Sequence, residues 1–333
     1  MKAKTELPIV LSSSSTQSFF SDPLQIRTIL VAIDFSDESF RALDFALPLA
    51  KRFGAALQVL YVYEGKPQFT SMGEKPELFL DPAIELFSER EIGGRLKDEM
   101  QRRFSVDLPL KDCHFRMGRP SPEICATAHK LNADLIVLAA RGRMGLKHLT
   151  LGSTAEKVVR HATCPVLVVR ERANGAGAEE RALRKILVPV DFSDCAREGA
   201  KYALVFAARV GANLLLMHIV QPPDYIATEA LTESARSSPL VTAARLEAEK
   251  KLSELVTSLP HAGVTVETEV AVGLASEKLA EATKRPDVDM LVTSTHGYTG
   301  LRHALIGSTA EQLLRLARCP VLVVPSHSRE APQ

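Results

Sequence analysis

The chain has no tryptophan, and Phe, Trp and Tyr together make up only 5% of its 333 residues. It also lacks an excess of either charge: 41 Lys and Arg face 40 Asp and Glu, a formal net charge of +1. Such a balance argues against a dedicated nucleic-acid or anionic-membrane binder, which carries a basic patch or excess. The five cysteines, Cys113, Cys125, Cys164, Cys195 and Cys319, are odd in number and contain no C-x-x-C. That excludes a short disulfide framework and the usual zinc spacings. Cys164 and Cys319 stand at matching places before a Pro and an apolar run, where a thiol reads as a small buried hydrophobe. The first residues carry Lys2, Lys4, Glu6 and Pro8 around a short apolar run, Ile9–Leu11. A secretory h-region needs roughly 7–15 apolar residues and a membrane span about 20, so the chain reads as cytoplasmic. No G-x-x-x-x-G-K-[ST] occurs, which removes the P-loop lysine and its Mg²⁺-binding hydroxyl.

What is present is a duplication. ILVAIDFSD (Ile29–Asp37) returns as ILVPVDFSD (Ile186–Asp194). GRMGLKHLTLGSTAEKVVRHATCPVLVV (Gly142–Val169) returns as GYTGLRHALIGSTAEQLLRLARCPVLVV (Gly297–Val324). The offset is 157 at the first match (191 − 34) and 155 at the second (297 − 142). Two long matches in one order at almost one offset mean a duplicated domain, because solenoid repeats have periods of about 20–50 residues. The division expected is a disordered Ser-rich leader (1–25), a first domain (26–171), a linker (172–183), a second domain (184–326) and a tail (327–333).

Within each half, apolar runs alternate with helical periods. The first half gives strands at Ile29–Ile33, Ala56–Val62, Lys111–Met117, Leu135–Ala140 and Pro165–Val169. The second gives them at Ile186–Val190, Leu214–Ile219, Val264–Val272, Met290–Ser294 and Val321–Val324. Uniformly apolar strands between helices predict an α/β fold: two doubly wound, five-stranded parallel sheets of Rossmann-like order 3-2-1-4-5. Such sheets bind ligands beyond the carboxyl ends of the strands where strand order reverses, between strands 1 and 4. Strand 5 is apolar and last in each half. An uncovered apolar edge invites aggregation, so the two edges are expected to pair within the chain about a pseudo-two-fold axis.

The polar motifs fall at the predicted crevice. Asp34 and Asp191 follow strand 1 and are assigned to the ligand, the residues after them to capping the next helix. The glycines of G-x-x-G-x6-G-S-T are Gly142, Gly145 and Gly152, followed by Ser153 and Thr154. In the second half they are Gly297, Gly300 and Gly307, followed by Ser308 and Thr309. Glycines let phosphate oxygens reach main-chain N–H groups, and the following helix N-terminus favours anions. Ser153-x-x-Glu156 and Ser308-x-x-Glu311 also read as capping boxes, which would explain the Ser and Glu but not the three glycines. Arg141, Arg143, Lys147 and His148 make the first loop more basic than the second, which has His296, Arg302 and His303. If binding is unequal, the first half favours a triphosphate.

Taken together, I-L-V-x-x-D-F-S, G-x-x-G-x6-G-S and C-P-V-L-V-V resemble the universal stress protein family over nearly all of both halves. Members of that family bind ATP or AMP or bind no nucleotide, and the ligand expected from the resemblance is ATP or another adenine nucleotide, with Mg²⁺ as its accompanying ion. Asp34 and Asp191 would contact the nucleoside, and main-chain atoms of Val62 and Ile219 the adenine. Pro189 matches a family proline, where the first half has Ala32. The family's phosphate motif, G-x-x-G-x9-G-[ST], places its first glycine at Ala139 and Ser294, and both halves depart from it there.

Three functions compete. The leading one is a nucleotide-binding stress-response regulator with no catalytic residue and at most slow ATP hydrolysis. The connections Gly65–Pro82 and Pro222–Val241 would serve as lids or as surfaces for a protein partner. The second is an interaction module without nucleotide, motivated by Ala139 and Ser294. The third is a slow ATPase, disfavoured because no nucleophile–base order or metal-spaced cluster repeats in both halves. Homodimerisation of the tandem chain is left open.

Overall fold

The computed structural model describes residues 24–64, 82–105, 109–142, 151–170, 183–221, 238–260, 263–295 and 307–325. Most of the leader, the linker interior, the tail and most of both long connections lie outside them, as do the readings made there. No described helix is long and apolar enough to cross a membrane. The chain forms two compact units, one spanning Ile26–Cys164 and the other containing Pro165–Gln333.

In the first unit, β1 (Thr28–Ile33), β2 (Ala56–Tyr63), β3 (Cys113–Met117) and β4 (Leu135–Ala139) lie in the order β3-β2-β1-β4, all parallel. Ile29, Leu30, Val31, Leu135, Ile136 and Val137 are fully buried, as apolar central strands of an α/β sheet should be. The helices are α1 (Asp37–Phe53), α2 (Pro82–Phe104), α3 (Pro120–Lys130) and α4 (Ser153–His161). Helix α1 opens where the Ser36 side chain accepts from the Ser39 N–H and closes at Gly54 in the left-handed region, φ 64°. Pro48 sits inside it without ending it.

The second unit holds β5 (Val166–Val169), β6 (Lys185–Pro189), β7 (Asn213–Val220), β8 (Val266–Val272), β9 (Met290–Ser294) and β10 (Val321–Val324). Its helices are α5 (Asp194–Val210), α6 (Pro239–Ser258), α7 (Ala275–Ala282) and α8 (Ser308–Leu316). The strand order is β5-β10-β9-β6-β7-β8, parallel except that β5 runs antiparallel to β10, with Val321 opposite Val168 and Val323 opposite Val166. Arg170, just past β5, donates from its guanidinium to the carbonyls of Leu314, Arg315 and Ala317, the orphan acceptors at the end of α8.

A carboxylate at the start of the fourth strand of each half ties it to the first. Asp134 Oδ2 accepts from the N–H groups of Arg27 (2.7 Å) and Thr28 (3.0 Å), and the Asp134 N–H donates to Thr28 O. Asp289 Oδ2 does the same for Arg184 (2.7 Å) and Lys185 (3.1 Å), with its N–H on Lys185 O. The clip fixes the amino ends of these neighbouring strands and so leaves any parting to their carboxyl ends.

Candidate nucleotide site

β1 ends at Ile33 and β4 at Ala139, and the residues just beyond them meet. A Cβ built on Gly142 would lie 2.5 Å from Asp34 Oδ2. The other carboxylate oxygen, Oδ1, accepts from the Ser36 N–H (3.0 Å) and hydroxyl (2.5 Å), so Ser36 both caps α1 and orients Asp34. The second half repeats this turn: Asp191 Oδ1 accepts from the Ser193 N–H (3.0 Å) and hydroxyl (2.6 Å), and Ser193 caps α5.

The turns contain a feature that sequence reading missed. Phe35 and Phe192 have φ of 61° and 64°. An aromatic residue in the left-handed region costs about 1–3 kcal/mol and persists only where its surroundings hold it. Phe35 packs on Tyr61 (ring centroids 5.1 Å) and Phe40 (6.1 Å), with the Arg95 guanidinium 4.4 Å above its centroid. Phe192 packs on His218 (4.5 Å), with Lys251 Nζ 5.8 Å from its centroid. The D-F-S-D repeat marks the place, but not the backbone conformation.

The second wall is the start of α4 and of α8. The Gly152 N–H donates to Ala140 O and the Gly307 N–H to Thr295 O, both at 2.7 Å. Ser153 and Ser308 do not cap these helices as the capping-box pattern predicts. The N-caps are Gly152 and Gly307, and no side chain caps either end. The backbone turns one residue earlier than the pattern assumes, so each Ser becomes the first helical residue, with its hydroxyl past the capping position. Ser153 and Ser308 are exposed, and Thr154 and Thr309 half-buried. First-turn N–H groups without a side-chain cap, at the positive end of the helix dipole, are suited to an anion.

Val62 lies one residue beyond the Ile33–Tyr61 pair, level with Asp34, and is half-buried; its counterpart Ile219 is buried. Pro189 closes β6 opposite Met217. Pairing of β6 with β9 stops at Leu187–Leu291, whereas β1 and β4 stay paired through Ala32–Leu138. Pro189 therefore lacks an N–H where no ladder bond to β9 is made, which admits it to a central strand. Half-buried Ser294 stands beside Gly199, where an added Cβ would sit 3.6 Å from the Ser294 Cβ, and half-buried Ala139 ends β4 in the first half. Arg143, Gly145, Gly297 and Gly300 lie outside the described residues.

His218 reads from sequence as a satisfied core residue. It is half-buried, with Nδ1 2.7 Å from Val190 O, and sits at the rim of the second site. Burial holds its pKa below the usual value, against the opposing pull of the Val190 carbonyl and Asp191. Among the described residues no group of three or more His, Cys, Asp and Glu could hold a metal ion.

The sequence model of the Universal stress protein family matches residues 25–170 and 182–325. A universal stress protein from Synechocystis is 26% identical over 311 residues, covering 89% of this chain and 99% of its own. One from Thermus aquaticus is 36% identical over 144 residues, covering 43% of this chain and 98% of its own. The crystal structure of a universal stress protein from Archaeoglobus fulgidus superposes with a TM-score of 0.59 at 19% identity, covering 91% of this chain and all of that one. Both halves are matched in order, and the chain belongs to the universal stress protein family.

Proposed function

We propose that each half binds an adenine nucleotide, ATP with Mg²⁺ as its accompanying ion, between the turn after its first strand and the helix that follows its fourth. The observation that carries this reading is the approach of Asp34 to Gly142, backed by a helix start that no side chain caps. The oriented Asp34 carboxylate suits the donors of a nucleoside. The first-turn N–H groups of α4 and α8 suit phosphate oxygens. A helix terminus contributes at most about 2 kcal/mol, whereas a micromolar ligand needs about −8 kcal/mol. Burial of the base near Val62 and Ile219 supplies much of the difference.

The described residues at the crevice hold and orient; none of them is arranged as a nucleophile with a base. The protein acts as a stress-response regulator in the cytoplasm, with hydrolysis slow or absent, passing nucleotide occupancy to a protein partner. The finer architecture belongs to the same proposal: doubly wound, five-stranded halves about a pseudo-two-fold axis. The antiparallel ladder of β5 with β10 supports pairing through the fifth strands.

Mass analysis of small molecules released from purified, denatured protein tests the reading. ATP or another adenine nucleotide is expected. A second reading, a nucleotide-free interaction module, is favoured by Ala139 and Ser294, where both halves depart from the glycine of the phosphate motif that the resemblance implies. It predicts no nucleotide in that assay and no thermal stabilisation. Binding at 100 times Kd would stabilise by about 2.7 kcal/mol.

A further inference from the structure

In both halves a cation on the helix that precedes the third strand sits over the aromatic residue that follows the site aspartate. Arg95 of α2 lies 4.4 Å from the Phe35 centroid and Lys251 of α6 5.8 Å from that of Phe192. Both are within reach of an aromatic face, where a cation is attracted to the ring quadrupole. Among the described residues Arg95 has no ion-pair partner and Lys251 pairs only along its own helix, with Glu247 at 3.4 Å. The two helices differ in sequence and in preceding connection, yet each brings a cation to the same ring. The rings are those that hold the left-handed turns, φ 61° and 64°, next to Asp34 and Asp191.

We propose that Arg95 and Lys251 are positioning residues of the two sites: each clamps its phenylalanine, and through it the aspartate that meets the nucleoside. The inference rests on the nucleotide reading above. Its chemistry sets it apart from a direct phosphate contact. A clamp on the aspartate turn affects everything that carries the nucleoside, whereas a cation touching phosphate affects only charged ligands.

The test is titration calorimetry of ATP and of adenosine into the full chain, the Arg95→Met/Lys251→Met variant and the conservative Arg95→Lys/Lys251→Arg variant, with thermal unfolding to establish that all are folded. An exposed cation–aromatic contact of about 0.5–1 kcal/mol corresponds to a two- to fivefold change. The methionine variant is expected to weaken ATP and adenosine by the same factor in that range, and the conservative variant to stay within twofold of the parent. Unchanged affinity in the methionine variant overturns the inference and leaves the nucleotide reading standing, and so does a loss confined to ATP. A parent protein that binds neither ligand overturns both.

Discussion

Asp34 and Gly142 are 108 positions apart (142 − 34) and leave no room between them for a methyl group: a Cβ on Gly142 would stand 2.5 Å from Asp34 Oδ2. The first residue follows one central strand and the second follows its neighbour, so their approach defines a crevice at which the polar motifs of the first half converge. Gly142 is therefore required for closeness to a carboxylate whose other oxygen is already engaged by Ser36.

This closeness predicts a coupled pair. Gly142→Ala is expected to destabilise the protein by about 1–3 kcal/mol, the usual cost of forcing a group into occupied space. In an Asp34→Ala background the same change should cost at least 0.5 kcal/mol less, the lower end of coupling for residues in contact. Denaturant unfolding of the four proteins gives the cycle, and additive effects would contradict the geometry.

The aspartate clips at the amino ends of β4 and β9 predict a structural role. Asp134→Ala and Asp289→Ala each remove a carboxylate that accepts two backbone N–H groups. Hydrogen bonds to a charged group contribute about 1.5–3 kcal/mol, so a loss of that order is expected. Asp289 is buried and Asp134 half-buried, and the second variant should be the more damaging.

How much of this was legible in the sequence depends on what each feature requires. The duplication and the strands follow from apolar runs and matching strings, and β9 and β10 begin and end where read. Asp34 and Gly142 were legible because repeats placed both beyond strand ends. The left-handed Phe35 and Phe192 were not, because an aromatic side chain carries no preference for that conformation and only tertiary packing holds it there. Ser153 as a cap failed because Ser-x-x-Glu reports a helix start to within a residue, and the glycine before it takes the capping turn. Asp134 and Asp289 were not legible as clips. Their role depends on backbone more than a hundred residues away.

His218 predicts a pH dependence that the first half lacks at this position, where Tyr61 stands. Burial, opposed by the Val190 carbonyl and Asp191, lowers its folded-state pKa below the unfolded value. The unfolded chain then binds the proton more readily. The penalty is absent above about pH 6.5 and grows as pH falls from there to the folded pKa, at up to about 1.4 kcal/mol per pH unit. His114, lowered by burial and by Arg116, contributes in the same direction. His218→Tyr should flatten stability between pH 7 and 5 relative to the parent, measured by urea unfolding; an unchanged slope would contradict the assignment.

Thiol chemistry at Cys113 and Cys125 should be quiet at neutral pH. Burial, with Asp112 adding to it, pushes the Cys113 thiol up to about 11, and burial also raises Cys125. The thiolate is the reactive form, so alkylation of Cys113 followed by peptide mass mapping should be slow at pH 7.5 and accelerate about tenfold per pH unit above it. Rapid labelling at pH 7.5 would show that the surroundings of β3 open readily.

The most direct test of the central claim is calorimetric titration of ATP into nucleotide-stripped full-length protein and into its Gly142→Ala variant. Saturable binding to the parent is expected, and at least tenfold weaker binding, about 1.4 kcal/mol, at the first site of the variant. Binding that is equal in the two proteins, or absent from the parent, would contradict the claim.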